Sequence, residues 1–206
     1  MGYSSCIEDT GNPPYEGATV RVDSAGKVLV ETGAASQGQG HKTIIAQVVA
    51  DELGVPFEDV RVELGDTARF PQGAGTVASR VGVNVGTSSH AAATEVRKKA
   101  IALAAQVLEL PEDTLELADG AVRATGDSNA FVTLRDLATR LSPLVGGAVP
   151  AGFTPVLSAT SYAAPEGMPH ASGTNIAEVE VDIGTGDVRI LRYSVAHDCG
   201  NMMNPM

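Results

Sequence analysis

Two stretches that alternate apolar and polar residues at period two, each folded back through a glycine turn, constrain this chain more than anything else in it. Thr19-Val20-Arg21-Val22 and Lys27-Val28-Leu29-Val30-Glu31 flank Asp23-Ser24-Ala25-Gly26, the pattern of a β-hairpin with a four-residue turn. Residues 176–182 alternate in the same way and turn through Gly184-Thr185-Gly186-Asp187 into residues 188–195. Between the hairpins lie two helical patterns. Residues 41–53 set Ile44, Ile45, Val48, Val49 and Leu53 on one face and stop at Gly54 and Pro56; residues 88–110 do the same with Ala92, Val96, Ala100, Leu103, Ala104, Val107 and Leu108. Hairpins interrupted by helices exclude a helical bundle and are too antiparallel for a doubly wound sheet. They predict an α+β fold, with antiparallel or mixed sheets and β-hairpins packed against two main helices.

Smaller signals fill in the order. Val60-Arg61-Val62-Glu63-Leu64 predicts a strand, followed by a long loop over residues 68–82, a length usually reserved for function. Leu115-Glu116-Leu117 and Ala121-Val122-Arg123 flank the turn Asp119-Gly120, and residues 134–141 suit a short helix. Residues 143–169, with five prolines, predict an extended connection. The expected division is an α+β domain over 1–145, a connection over 146–170 and a hairpin over 171–206 that opens a second portion.

Composition then limits function. With 43% hydrophobic residues in 206, the chain can bury a core, which Ala, Val and Leu must fill because aromatics are 4% and Trp is absent. A net charge of −11 argues against a nucleic-acid or anionic-membrane partner, since both need a Lys/Arg footprint. No segment approaches the roughly 20 apolar residues of a membrane helix. Met1-Gly2-Tyr3-Ser4-Ser5-Cys6 has no signal-peptide character, and Cys6 and Cys199 stand far apart, so a reduced cytoplasm is expected.

Three constellations could carry chemistry. Ser36-Gln37-Gly38-Gln39-Gly40-His41 opens a predicted helix: glycines allow close backbone approach, helix-start amides attract anions, and two Gln amides donate and accept. Gly73-Ala74-Gly75-Thr76-Val77-Ala78-Ser79-Arg80 combines small residues, hydroxyls and a guanidinium, a set suited to an oxyanion or diphosphate. The third is the polar end His197-Asp198-Cys199-Gly200-Asn201 through Asn204-Pro205-Met206. Plain alternatives stand beside each: a Gly-rich connection, a surface ion pair at Arg80, an exposed strand end. A phosphate-binding Gly-Lys-Ser/Thr loop and a Gly-x-Ser-x-Gly elbow are both missing. The four histidines have no ligand spacing, so no protein-held metal is expected. Glu8, Asp9, Glu178, Glu180 and Asp182 are most simply solvated strand faces.

Taken in order, Gln37-Gly38-Gln39-Gly40-His41-Lys42-Thr43, Ala46-Gln47, Asp51-Glu52-Leu53-Gly54-Val55-Pro56, Gly65-Asp66-Thr67, Gly75-Thr76-Val77-Ala78-Ser79-Arg80, Val179-Glu180-Val181-Asp182, Thr185-Gly186, Asp198-Cys199-Gly200 and Asn204-Pro205 resemble the molybdenum-binding large subunit of the xanthine dehydrogenase family, with the aerobic carbon monoxide dehydrogenase branch nearest. The resemblance implies a molybdopterin-binding α+β domain. It implies cofactor contacts at Gln37, Gly38, Gln39, Gly40 and His41 around the pterin and its phosphate. Gly75, Thr76, Ala78, Ser79 and Arg80 would lie along the dinucleotide's diphosphate, and Asp198, Cys199 and Asn204 at the nucleotide end.

It further implies a molybdenum–molybdopterin cofactor in the cytosine dinucleotide form, with 2Fe-2S and FAD groups on partner subunits. The partners would be iron–sulfur and flavin subunits and the remainder of a large subunit, with no nucleic acid and no membrane, and with exposed apolar faces through which copies could associate. The family hydroxylates an electrophilic carbon at molybdenum and passes electrons through iron–sulfur clusters to a flavin. No residue here matches the family's catalytic glutamate, so no catalytic residue is named. The expectation is a cofactor-holding part of an oxidoreductase of the carbon monoxide, xanthine or aldehyde dehydrogenase kind, active only when completed by other segments or subunits. Its alternatives are a free-standing nucleotide- or pterin-binding module and an inactive truncated domain. The substrate is left open.

Overall fold

A row of small apolar side chains across four strands organises the core. In the computed structural model, which describes residues 1–143, 148–167 and 169–204, β2 (Glu16–Val22) and β3 (Val28–Thr32) form the expected hairpin, with Val20 opposite Val30. Asp23 closes its turn by accepting from the Ala25 and Lys27 amides at 2.8 and 2.9 Å. β4 (Val60–Leu64) pairs parallel to β3, with Val62 opposite Val30. β8 (Leu157–Ala163) pairs antiparallel to β2, with Ala159 opposite Val20. The sheet order is β4-β3-β2-β8.

A parallel pair needs a crossover, and α1 (His41–Leu53) supplies it between β3 and β4. α1 buries Ile45, Ala46, Val49 and Leu53, while α2 (Val81–Leu108) buries Ala92, Ala93, Val96, Ala100, Leu103 and Ala104. α2 packs on β2 and β8, and α1 on β4 and α2. The many alanines let the helices approach the sheet closely, so the core closes with few aromatics.

Two further sheets flank this core. β5 (Leu115–Ala118), β6 (Ala121–Ala124) and β7 (Asp127–Thr133) form an antiparallel meander that leads into α3 (Leu134–Leu141). The Thr133 hydroxyl caps α3 by accepting from the Asp136 amide at 3.1 Å. β1 (Gly2–Asp9), β9 (His170–Val181) and β10 (Val188–Asp198) form the third sheet, in the order β1-β9-β10. The α+β class therefore holds, with three sheets and three α-helices among the described residues.

The structure differs from the sequence expectations in four places. β1 pairs with β9 through Gly2–Ala177 to Asp9–His170, a contact between distant parts of the chain that no local pattern announces. β7 begins with Asp127, Ser128 and Asn129, turn-forming residues, of which Asp127 pairs with Ala124 of β6 after a register shift. α2 starts at Val81, seven residues before the expected position, because tertiary contacts override the weak helix propensity of Gly82, Asn84, Gly86 and Thr87. The stretch 146–170, expected as an extended connection, contains β8. Its strand residues carry no proline, since Pro155 and Pro165 lie outside them. The expected boundary at 145 falls on residues outside the described ones.

Candidate functional site

β3 and β4 run parallel and in register, Thr32 opposite Leu64, so the segments leaving them start from the same end of the sheet. Each segment leads into the N-terminus of a helix: residues 33–40 into α1 and residues 65–80 into α2. Crevices beyond the carboxyl ends of parallel strands are where α/β units place ligands, because helix amides converge there. The register of two strands thus brings together the Gln-Gly-Gln-Gly and Gly-Thr-x-x-Ser-Arg segments.

Close backbone contact locks the two loops. A β-carbon at Gly33 would lie 1.9 Å from the Gln72 carbonyl oxygen, and one at Gly73 would lie 2.5 Å from the Gly33 oxygen. Only glycine fits at either position. The Gln37 side-chain amide donates to the Thr76 carbonyl at 3.3 Å, and the Thr76 hydroxyl donates to the Ala35 carbonyl. Gln39 Oε1 accepts from the Gln37 amide at 2.7 Å. These bonds use one end of each Gln and leave the Gln37 oxygen and the Gln39 NH2 for a ligand.

Gln37, Gln39, His41, Thr76, Ala78, Ser79 and Arg80 line one cleft of about 390 Å³, together with Ile44, Val77, Val81 and Gly82. Gly38, Gly40 and Gly75 belong to the same two loops, at positive φ and with open space where a β-carbon would stand. Neither helix start has a side-chain cap, so the first-turn amides of α1 and α2 keep their attraction for anions. Ala78 and Ser79 both sit at positive φ, 49° and 50°, a backbone state that costs non-glycine residues and persists where surrounding structure enforces it.

His41 is buried at the cleft wall, and its Nδ1 has no partner. Burial pushes its pKa below the usual 6.5, while the Ala35 carbonyl pulls the other way. The imidazole is thus neutral at pH 7. Arg80 is 2% exposed. Its guanidinium donates to the Glu16 carboxylate, to the Pro14 carbonyl, to Asn12 O at 2.9 Å and to Gly75 O at 3.1 Å.

The third predicted group is not brought into the cleft. Asp198 ends β10 and accepts from the Gly200 amide at 2.9 Å; it lines a separate depression with Cys6, Gly173 and His197. Cys199 is exposed. Asn204 reaches α1, donating to Gln47 Oε1 at 3.2 Å, and Met203 packs by Gly82, where a β-carbon would be 3.5 Å from its Cε. Sequence reasoning missed Asn12, Glu16 and Asn84, which gather around Arg80. The only sequence cue was Pro13-Pro14, which removes two backbone donors just where carbonyls are needed. Among the described residues no three His, Cys, Asp or Glu side chains group as a metal site, and no helix is long and apolar enough to cross a membrane.

Comparison with known proteins places this arrangement. The chain is 33% identical over 205 residues to the carbon monoxide dehydrogenase large chain of Hydrogenophaga pseudoflava, covering 100% of this chain and 25% of that one. It is 37% identical over 191 residues to the nicotine 6-hydroxylase large subunit of Paenarthrobacter nicotinovorans, covering 93% and 23%. Among solved structures, the reconstituted CO dehydrogenase from Oligotropha carboxidovorans superimposes with a TM-score of 0.86 at 32% identity, over 99% of this chain and 26% of that chain. Quinoline 2-oxidoreductase from Pseudomonas putida 86 does so with 0.83 at 34% identity, over 99% and 27%. The chain spans about a quarter of the length of these relatives. The family model for the molybdopterin cofactor-binding domain matches residues 1–206, and the chain belongs to that family.

Proposed function

We propose that this chain holds the cytosine dinucleotide form of a molybdenum–molybdopterin cofactor for a hydroxylase of the carbon monoxide dehydrogenase kind. The observation that carries the reading is the convergence of two uncapped helix N-termini and two glycine loops on one cleft. The residues present suit such a group. His41 Nδ1 is an orphaned buried atom at the wall, and Gly38, Gly40 and Gly75 leave room for close approach. Gln37, Gln39 and His41 would meet the pterin and its phosphate, while Gly75, Thr76, Ala78, Ser79 and the Arg80 backbone would form the stretch along the diphosphate. Asp198, Cys199 and Asn204 are proposed for the nucleotide end, which requires the segment after β10 to lie along α1 and α2, where Met203 and Asn204 already touch them.

When bound, the cofactor supplies a molybdenum centre for hydroxylating an electrophilic carbon. The chain's own residues orient the cofactor and exclude water. The cleft lining among the described residues includes no carboxylate, so we assign the proton-accepting group to another part of the enzyme. Iron–sulfur and flavin subunits are the proposed electron acceptors, with 2Fe-2S and FAD groups, and the proposed location is the cytoplasm.

Expression in a host that makes the cofactor, followed by metal analysis and acid release, tests this. Molybdenum and cytidine monophosphate in equal amounts, both reduced in Gln39→Ala, are expected. Nucleotide without molybdenum would instead favour a free-standing binding module. Full molybdenum loading of Gln39→Ala would overturn the site assignment.

A further inference from the structure

We propose that Glu16, with Asn84, is a positioning residue of the cofactor cradle, and that it holds Arg80 as a structural clamp so that the cleft meets its anionic ligand with uncharged donors only. The inference rests on the anion-cradle reading above. Glu16 and Asn84 are each 1% exposed and Arg80 2%. Side chains so deeply buried cost free energy unless hydrogen-bonded; Glu16 Oε1 and the Asn84 NH2 are bonded, while Glu16 Oε2 and Asn84 Oδ1 have no partner among the described residues.

Glu16 Oε1 receives both the Arg80 guanidinium and the Ala74 amide, the latter at 3.0 Å, so one oxygen ties both ends of the 74–80 loop. Asn84 donates to the Asn12 and Pro14 carbonyls at 3.0 and 3.1 Å, the same two carbonyls that Arg80 uses. The Asn12 side chain returns a bond to Ala78 O at 3.5 Å, and the Gly11 amide another to Ser79 O at 3.5 Å. The two residues at positive φ are thus held from both sides. Their strained backbone is enforced by segment 11–16 rather than by local propensity.

The clamp also sets the charge of the cleft. Arg80 is the one Lys or Arg among the described lining residues, and Glu16 neutralises it; His41 is a neutral imidazole. A chain of net charge −11 repels anions at long range. Capture must therefore depend on short-range donors, the helix-start amides and the Gln39 NH2; the Ser79 hydroxyl already donates to Glu8 Oε1 at 3.3 Å. An arginine reaching the phosphates directly would make the opposite prediction for Glu16→Gln and for salt.

The test is inorganic pyrophosphate binding by the 206-residue chain, measured calorimetrically well below each variant's melting midpoint. Glu16→Gln keeps an oxygen at Oε1 but removes the charge that holds Arg80. We expect its affinity to fall about tenfold or more, as losses of orienting partners do. Arg80→Lys keeps the charge but cannot serve four acceptors, and should not rescue binding. Asn84→Ala, which removes no charge, should weaken binding too.

In the wild type, raising salt from about 0.01 M to about 1 M, which shortens the screening length from ~30 to ~3 Å, should not weaken binding, because what it screens is the chain's own repulsion of the anion. Tighter binding by Glu16→Gln, retained binding by Arg80→Lys, or affinity that falls steeply with salt would overturn the proposal while leaving the cradle intact. Lower melting midpoints with unchanged affinity would show a merely structural role and overturn it as well. A wild type that does not bind pyrophosphate would overturn the cradle reading and this inference together.

Discussion

Replacing Gly33 by Ala drives a methyl group into the backbone that joins the two cleft loops. The added carbon would stand 1.9 Å from the Gln72 oxygen, 2.5 Å from the Gln72 carbonyl carbon and 2.8 Å from Gly73 Cα. A carbon–oxygen contact normally sits near ~3.3 Å, so the strands of the contact must part by roughly 1.4 Å. Every atom in the way is backbone, so no side chain can swing aside. Gly33 does not adopt a positive φ, which means the effect is steric and not conformational. Overpacking of this kind costs about 1–3 kcal/mol, and for a chain of this size each 1 kcal/mol lowers Tm by roughly 2–4 °C.

The assay is urea unfolding of Gly33→Ala beside Gly2→Ala, whose added carbon meets nothing within 4 Å. Gly33→Ala should unfold at lower urea with the wild-type slope, and its molybdenum content should fall because Gln37 no longer reaches Thr76. Gly2→Ala should match the wild type. A wild-type midpoint and full molybdenum content in Gly33→Ala would refute the argument that the loops are locked at this contact.

Two other expectations follow from local chemistry. Thr133→Ala removes the cap on α3 and the 2.7 Å bond from Thr133 to Asp136 Oδ2, and should cost about 1 kcal/mol, with Thr133→Ser close to wild type in the same urea assay. His41 has a folded pKa below its ordinary 6.5, so below that pH the unfolded chain binds more protons than the folded one, and stability is lost as pH falls. The Tm difference between wild type and His41→Gln should shift against the wild type as pH drops from about 6.5 towards the lower folded value; a pH-independent difference would refute the burial argument.

Much of the fold was legible because its signals are local. The 19–31 hairpin, α1 and the Asp119-Gly120 turn each pair a short periodic pattern with a turn residue that has one structural use. Asp119 and Gly120 indeed take φ 49° and 67°. β1 and β8 were not legible, since each becomes a strand only through a partner far along the chain. The early start of α2 escaped for the same reason: Gly82 and Gly86 argue against helix until Met203 packs beside them. In the cleft, glycines and amides pointed to both loops, but their meeting depends on the register of β3 against β4. Arg80 shows the limit most clearly. A guanidinium among glycines and hydroxyls reads as an anion ligand, and only the fold reveals that Glu16, from 64 positions away, occupies it.

The pairing of β1 with β9 has a consequence for the order in which the molecule assembles. Both loops of the cleft, and the helices they open, are complete by residue 108, whereas β1 must wait for residues 170–177 before it has a partner. Closing a loop that long adds an entropic cost that grows only slowly with length, but it delays the pairing in time. β1 therefore emerges well before its partner strand and docks late, and Tyr3 and Ile7 stay exposed even after docking. The walls of the cleft can form before the sheet that borders them.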